Sequence, residues 1–230
     1  GNSRAIRVAR NSLMGGFWQI RVQKQYKLQK YFLINGTIPN IRYSWKLRSF
    51  KCCFKGSQKK ENKNIYCLGD IIDYGANSNE CVEVIRKNKI PTITGNHDFT
   101  AATLKEIKGL NPIAQESRRI TIKLLSERNK KFLLNLPKIL KIENMFLVHG
   151  SPKDYLYEYI YPDTPDYVFK EFFKITKKQI VAMGHTHIPF IKKINNKLIL
   201  NPGSVGQPRD GNNKASFCVL DNKKLEAEII

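Results

Sequence analysis

The first 60 residues of this 230-residue chain contain no Asp and no Glu, although they carry 14 Lys and Arg. The other 170 residues carry 26 basic and 19 acidic residues, so two thirds of the net charge of +21 comes from the first quarter of the chain. Such a shift in composition indicates a boundary. We therefore predict an aberrant basic segment over residues 1–60 and a domain over residues 61–230.

Three interpretations of the basic segment compete: a nucleic-acid-binding arm, a transit peptide, or sequence that never belonged to the fold. The last is preferred, and nucleic acid remains an open but not favoured partner. No apolar run approaches about 18 residues, which predicts no membrane span. Five cysteines without a C-x-x-C spacing are typical of reduced thiols, which favours a cytoplasmic protein.

Histidine is also scarce, and all four histidines lie in short polar motifs that follow apolar runs. The polar motifs at the ends of such runs are Gly69-Asp70, Gly95-Asn96-His97-Asp98, Val148-His149-Gly150 and Gly184-His185-Thr186-His187. Short apolar runs bounded by Gly and Asn are typical of buried strands, so these side chains collect at one edge of a sheet. Carboxylate, amide and imidazole are ligands of divalent metals. The sequence therefore predicts a metalloenzyme.

From residue 61 onward the pattern alternates between strands and helices, which predicts an α/β fold. Apolar runs predict strands over residues 65–68, 90–94, 145–148 and 180–183. Helical periodicity and caps predict helices over residues 78–88, within 112–136 and from Thr164-Pro165-Asp166 onward. Turn residues predict hairpins over residues 190–200 and 216–229.

Five strings, in this order, resemble the motifs of calcineurin-like metallophosphoesterases, in particular small prokaryotic phosphodiesterases. They are CLGDIIDYGANSNECVEVIR, IPTITGNHD, FLVHGSP, VAMGHTHIPF and LILNPGSVGQPRDG. The resemblance implies a four-layer α-β-β-α sandwich with two divalent metals at the strand ends. The donor types suit Mn²⁺, Fe, Zn²⁺ or Ni²⁺.

The resemblance also implies a role for each site residue. The implied metal ligands are Asp70, Asn96, His149, His185 and His187, with Asp70 bridging both metals and His187 on a different metal from the other three. His97 is the implied catalytic residue, as an acid or orienting donor toward the leaving group. A bridging group between cations must be negative, which suits Asp70. On an extended segment, His185 and His187 would share one face.

Three further features of the sequence each allow two interpretations. Asp73 is a turn residue or an acid that supports the ligands. Asn201-Pro202-Gly203-Ser204 caps a hairpin or forms a loop on the substrate side. The alternating tyrosines Tyr155, Tyr157, Tyr159 and Tyr161 near His149 favour core or lid packing over base stacking.

The family pattern is broken at its start, because members begin with a strand that ends in Asp-x-His. This chain has no Asp-x-His, and Asn40–Lys46 stands at the expected position. Reading the codons one base out of frame permits ISDIHG followed by Asn or Ser there and LEALNAVLKEV over residues 47–57, and the Trp45-Lys46 pair forces the glycine. We interpret residues 35–58 as a frameshifted first strand, metal motif and helix, and residues 1–34 as upstream sequence outside the fold.

The sequence thus predicts a metallophosphoesterase that hydrolyses a phosphodiester or phosphomonoester, with a small phosphate ester or nucleotide as substrate and metal-activated water as nucleophile. Its first metal site is damaged, so one of the two metals is retained. The alternative is a non-catalytic protein that binds phosphate or a nucleotide through a single metal.

Overall fold

The computed structural model describes residues 30–35, 64–75, 77–105 and 112–230, and in these ranges the strands form two sheets. The first sheet has the order β2-β1-β8-β9 and contains β1 (Lys30–Ile34), β2 (Asn64–Cys67), β8 (Cys218–Asp221) and β9 (Glu226–Ile229). The second has the order β3-β4-β5-β7-β6 and contains β3 (Ile139–Ile142), β4 (Met145–Val148), β5 (Ile180–Ala182), β6 (Phe190–Ile194) and β7 (Lys197–Asn201). Both sheets are mixed, since β1–β2, β4–β5 and β5–β7 pair in parallel and the other neighbours are antiparallel.

The helices lie on the outer faces of the sheets. They are α1 (Ser78–Lys87), α2 (Asn96–Thr103), α3 (Pro112–Leu124), α4 (Glu127–Leu134) and α5 (Asp166–Thr176). Residues of α1 to α4 pack against the first sheet, whereas the phenylalanines of α5 pack against the second. Within the described ranges no helix is long and apolar enough to cross a membrane.

Alternation along the strands divides the interior into three apolar layers. In β4, Met145 and Leu147 face the first sheet, whereas Phe146 and Val148 face α5. Along β2 and the residue after it, Ile65 and Cys67 likewise face the helices, whereas Tyr66 and Leu68 face the second sheet. Because successive strand side chains point to opposite faces, a sheet covered on both sides is apolar at every position. The predicted four-layer α-β-β-α sandwich is confirmed.

Two sequence predictions about strands are wrong. Lys30–Ile34 was placed outside the fold, but it forms β1 inside the first sheet, between β2 and β8, with Leu33 fully buried. The other predictions for residues 1–29 and 36–58 fall outside the described residues. A strand was also predicted over residues 90–94, where only an isolated bridge between Cys67 and Thr92 forms. Pro91 has no N–H to donate to a ladder there.

Candidate metal centre

The structure brings the five predicted ligand side chains together where β2, β4 and β5 end and α2 begins. The ligand atoms of Asp70, His149 and His185 all lie within 4.8 Å of one another. Asn96 Oδ1 lies 3.1 Å from His149 Nε2, and His187 Nε2 lies 3.4 Å from Asp70 Oδ2. All five are buried, at 4% exposure or less. A carboxylate, an amide and three imidazoles therefore share one enclosed space.

Asp70 is the centre of this cluster. Its Oδ1 accepts a hydrogen bond from the backbone N–H of His97 at 3.2 Å, and its Oδ2 lies 3.3 Å from His149 Nε2. Burial alone would raise the pKa of Asp70, but the neighbouring His149 and His97 hold that pKa well below its usual value. Asp70 is thus an ionised carboxylate in a buried site, which favours a cation beside it.

The histidine rings are oriented as metal ligands usually are. His149 Nδ1 lies 2.7 Å from the Leu68 carbonyl oxygen, and His187 Nδ1 lies 2.8 Å from that of Gln207. A carbonyl can only accept, so both Nδ1 atoms carry a proton, and each Nε2, on the side of Asp70, is the atom that would face a cation.

His185 gives the most direct indication of a missing positive partner. Both of its ring nitrogens are buried, and neither makes a well-aligned hydrogen bond with a described residue, although the Tyr157 backbone lies close enough to act on the pKa of the ring. Burial lowers the pKa of His185 to about 3, so the ring is neutral and free to donate a lone pair. An unpaired buried imidazole beside an ionised carboxylate fits a divalent cation.

The backbone of the Gly184–His187 turn departs from the sequence interpretation. His185 and His187 have φ of +64° and +59°, so they do not lie on an extended segment. Asn201 holds this turn: its Nδ2 donates to the Gly184 carbonyl at 2.6 Å and to Thr186 Oγ1 at 2.9 Å. The sequence left residues 201–204 open between a hairpin cap and a substrate-side loop, and it did not predict that Asn201 holds this turn. The signal that could have identified it is its position directly after the apolar residues 198–200. Asn96 has a similar position, two residues after the apolar run that ends at Thr94.

A close approach between two glycines sets the position of Asp70. A Cβ on Gly69, whose φ is +91°, would lie 2.4 Å from the Gly95 nitrogen, and a Cβ on Gly95 would lie 2.1 Å from Asp70 Oδ1. Asp98, also missed from the sequence, fixes this approach by accepting N–H groups of Gly95 and Ile71 at 3.0 and 2.9 Å. Burial, reinforced by the charge of Asp70, raises the pKa of Asp98 to about 7.

His97 lies beside the cluster and has its own partner. Its Nδ1 lies 2.8 Å from Asp73 Oδ2, and Arg118 Nη1 donates to the same oxygen at 3.2 Å. The Tyr74 ring packs against the imidazole at 4.7 Å between centroids. Asp73 therefore supports a site residue in addition to its place in a turn. With Nδ1 engaged, Nε2 is the nitrogen of His97 that remains for a substrate.

Asn35 directly follows β1 and contacts the candidate metal centre from the side of the first sheet. It is fully buried against the Gly184–His187 turn, because a Cβ on Gly184 would lie 2.8 Å from its amide group. Its Nδ2 lies 3.4 Å from the Gly203 carbonyl, while its Oδ1 has no hydrogen-bond partner among the described residues. A neutral amide thus occupies this edge of the cluster.

Comparison with known proteins gives a consistent result. The family model for the calcineurin-like phosphoesterase superfamily domain matches residues 49–225. An uncharacterized protein of Methanocaldococcus jannaschii is 38% identical over 188 residues, which cover 73% of this chain and 75% of that protein. A metallophosphoesterase structure from Sphaerobacter thermophilus has 25% identity and a TM-score of 0.70, with 88% of this chain and 87% of that chain covered. A hypothetical protein from Pyrococcus horikoshii OT3, at 18% identity, shares the fold with a TM-score of 0.72 over 87% of this chain and 86% of that one. The resemblance of the motifs is thereby confirmed, and the chain belongs to the calcineurin-like phosphoesterase superfamily.

Proposed function

We propose that this chain is a metal-dependent phosphoesterase that hydrolyses a phosphodiester or phosphomonoester and whose first metal site is impaired. The observation that carries the proposal is the buried cluster of Asp70, His149 and His185, in which both nitrogens of His185 are unpaired. The family is one of metallophosphoesterases, which supports both the reaction class and the need for metal.

Four side chains would hold the retained cation: Asp70, Asn96, His149 and His185. When bound, such a cation polarises the phosphate and lowers the pKa of water toward about 7, which supplies the nucleophile. The carbonyls of Leu68 and Gln207 keep His149 and His187 in the tautomer that ligation needs. The Asn96 amide can ligate through oxygen while its NH₂ group donates to a phosphate oxygen.

His97 would assist the departure of the alcohol. Its Nδ1 is held by Asp73, whose charge is fixed by Arg118, so the ring cannot rotate without breaking a buried contact. This leaves Nε2 directed away from Asp73 and available to donate a proton to the leaving oxygen.

The impairment concerns the second cation. Asn35, the described residue at the end of β1, offers this side of the site an amide and not a carboxylate. The following Asp-x-His would lie in the interval that we interpret as frameshifted, and the family match starts only at residue 49. Without those ligands the second cation keeps Asp70 and His187. Two protein ligands hold most transition metals poorly.

The alternative from another class is a non-catalytic protein that binds phosphate or a nucleotide through one cation. It is favoured by the same feature, Asn35, because one metal can bind a phosphate but provides no paired clamp on the attacking and leaving oxygens. Metal stoichiometry and turnover together separate the two functions.

The decisive experiment compares this chain with a version that carries ISDIHGNLEALNAVLKEV in place of residues 40–57. We expect about one Mn²⁺ per chain as it stands and two after repair, with hydrolysis of an aryl phosphodiester weak before repair and strong after it. In the repaired background, His97→Asn should lower kcat by about 10²–10⁴-fold while both cations stay bound. Two tightly bound cations and full activity in the unrepaired chain would contradict the proposal of an impaired site.

A further inference from the structure

The segment between β4 and α5 displays a row of tyrosines at the mouth of the candidate metal centre. Tyr155, Tyr157, Tyr159 and Tyr161 are 38–49% exposed, and among the described residues they are four of the five exposed aromatic side chains. The sequence favoured core or lid packing for these rings, and this exposure excludes core packing. Aromatic rings held at the edge of a buried polar site indicate a recognition surface.

Buried side chains and backbone hydrogen bonds hold the segment that carries these tyrosines. Leu156 and Ile160 alternate with the tyrosines and are 5% exposed, so they anchor the segment in the core while the rings point outward. Asp154 Oδ1 accepts the N–H groups of Leu156 and Tyr157, both at 3.1 Å, and the Gly150 N–H donates to the Tyr155 carbonyl at 2.8 Å. Rings that are already ordered lose little entropy when a ligand contacts them.

Two of these tyrosines are connected to the metal cluster by ring contacts. The Tyr159 ring stacks on His185 at 4.0 Å between centroids, with 29° between the planes. Tyr161 lies nearly parallel to Tyr159, at 6.2 Å and 10°. The three rings form a column that begins at a candidate ligand and ends in solvent. If the phosphate of an ester is bound at the cluster, the organic part of that ester would extend along these three rings.

The opposite side of the mouth carries a positive charge. Arg209 is exposed, its guanidinium lies 5.7 Å from the Tyr74 ring centroid, and its backbone N–H donates to the His187 carbonyl at 3.2 Å. Arg209 and Tyr74 therefore lie on the His187 side of the cluster, whereas Tyr159 lies on the His185 side.

We propose that Tyr159 and Tyr161 form a stacking platform for the base of a small nucleotide ester, with Arg209 contacting its phosphate. The inference rests on the proposed phosphoesterase function and names the substrate class of that site. A nucleobase fits because it joins a planar π-face to a phosphate through one sugar, which matches aromatic rings beside a cation site. Stacking of a base on an aromatic side chain typically strengthens binding by about 10–100-fold.

The test compares adenosine 5′-phosphate with ribose 5-phosphate, which differ only in the base, and uses inorganic phosphate as a third probe. Dissociation constants are measured by titration calorimetry on the Mn²⁺-loaded chain. We expect adenosine 5′-phosphate to bind about 10–100-fold more tightly than ribose 5-phosphate. The preference should vanish in Tyr159→Leu, weaken in Tyr161→Leu and persist in Tyr159→Phe, which keeps the ring. Tyr167→Leu, at an exposed tyrosine on α5, is the matched control and should keep it too.

The outcomes separate this inference from the function on which it rests. Equal affinity for the two esters, or a base preference that survives Tyr159→Leu, overturns the stacking platform while bound phosphate leaves the phosphoesterase proposal standing. If none of the three ligands binds the metal-loaded chain, both proposals fall. Thermal unfolding of each variant checks the fold, which a half-exposed side chain at position 159 should leave intact.

Discussion

Replacing Asn201 with Ala should damage the candidate metal centre from a position that provides no ligand. The Asn201 side chain is fully buried and makes three contacts, to the Gly184 carbonyl at 2.6 Å, to Thr186 Oγ1 at 2.9 Å and from the Gly203 N–H at 2.9 Å. It holds a turn in which two non-glycine residues have positive φ. Such a conformation persists only where surrounding contacts enforce it.

The magnitude follows from the groups left without a partner. Asn201→Ala leaves the Gly203 N–H without its partner, and a buried unsatisfied group costs about 1–3 kcal/mol. The Gly184 carbonyl keeps its hydrogen bond from the Thr186 N–H at 2.7 Å, so the loss of Asn201 Nδ2 there adds only the ~1 kcal/mol of an ordinary hydrogen bond. We therefore expect the free energy of unfolding to fall by about 2–4 kcal/mol, a large part of the 5–15 kcal/mol that is typical of a domain. Because the turn orients two imidazoles, Mn²⁺ affinity should also fall, by about 10–100-fold.

Urea unfolding and calorimetric Mn²⁺ titration measure the two effects. Asn213→Ala, at an exposed asparagine, is the control and should change the unfolding free energy by less than about 0.5 kcal/mol. If Asn201→Ala does not fold, Thr186→Val keeps the side-chain shape but removes the Oγ1 that accepts from Asn201 Nδ2 and from the Ile188 N–H, and it should cost about 1–3 kcal/mol. An Asn201→Ala protein with wild-type stability and wild-type Mn²⁺ affinity would refute the argument that this side chain holds the turn.

Two further substitutions test the framework around the site. Gly95→Ala should destabilise the fold by about 1–3 kcal/mol and weaken Mn²⁺ binding, since the added Cβ would clash with the Asp70 carboxylate. Gly211→Ala is the control: its Cβ would meet open space, at a φ of +80°, and Mn²⁺ affinity should not change. Equal effects of the two substitutions on Mn²⁺ affinity would contradict the clash. Phe172→Ala should lower the unfolding free energy by about 3–5 kcal/mol, because Phe172 is fully buried between α5 and the second sheet. Ile175→Ala, at a 48% exposed position on the same helix, is its control, and comparable losses in urea unfolding would contradict the assignment of α5 as the outer layer.

Much of the fold was predictable because its signals are local. Periodicity predicted both ends of α1 and the start of α5 to within about a residue, and the Asn195-Asn196 turn predicted the β6–β7 hairpin. β1 was missed for the opposite reason. Its partners are residues 64–67 and 218–221, so only the assembled sheet shows that Lys30–Ile34 is buried.

The candidate site also has a part that the sequence could predict and a part that it could not. Polar residues at the ends of apolar runs predicted which side chains converge, because the ends of neighbouring strands meet at one edge. The contacts of Asp98, Asn201 and Arg118 were not predictable, since each depends on the approach of segments far apart in the chain. The positive φ of His185 and His187 was not predictable either, because non-glycine residues adopt it only under tertiary constraint.

The candidate ligands come from both halves of the sandwich. Asp70 and Asn96 follow segments on the side of the first sheet, whereas His149, His185 and His187 follow strands of the second. A cation bound by these side chains would therefore link the two sheets at the edge where their strands end. Folding and cation binding then reinforce each other, because only the assembled sandwich offers the full set of donors. With such a cation bound, a chelator would remove a cross-link between the two sheets as well as a catalytic group, so it should lower the stability of the fold together with any activity.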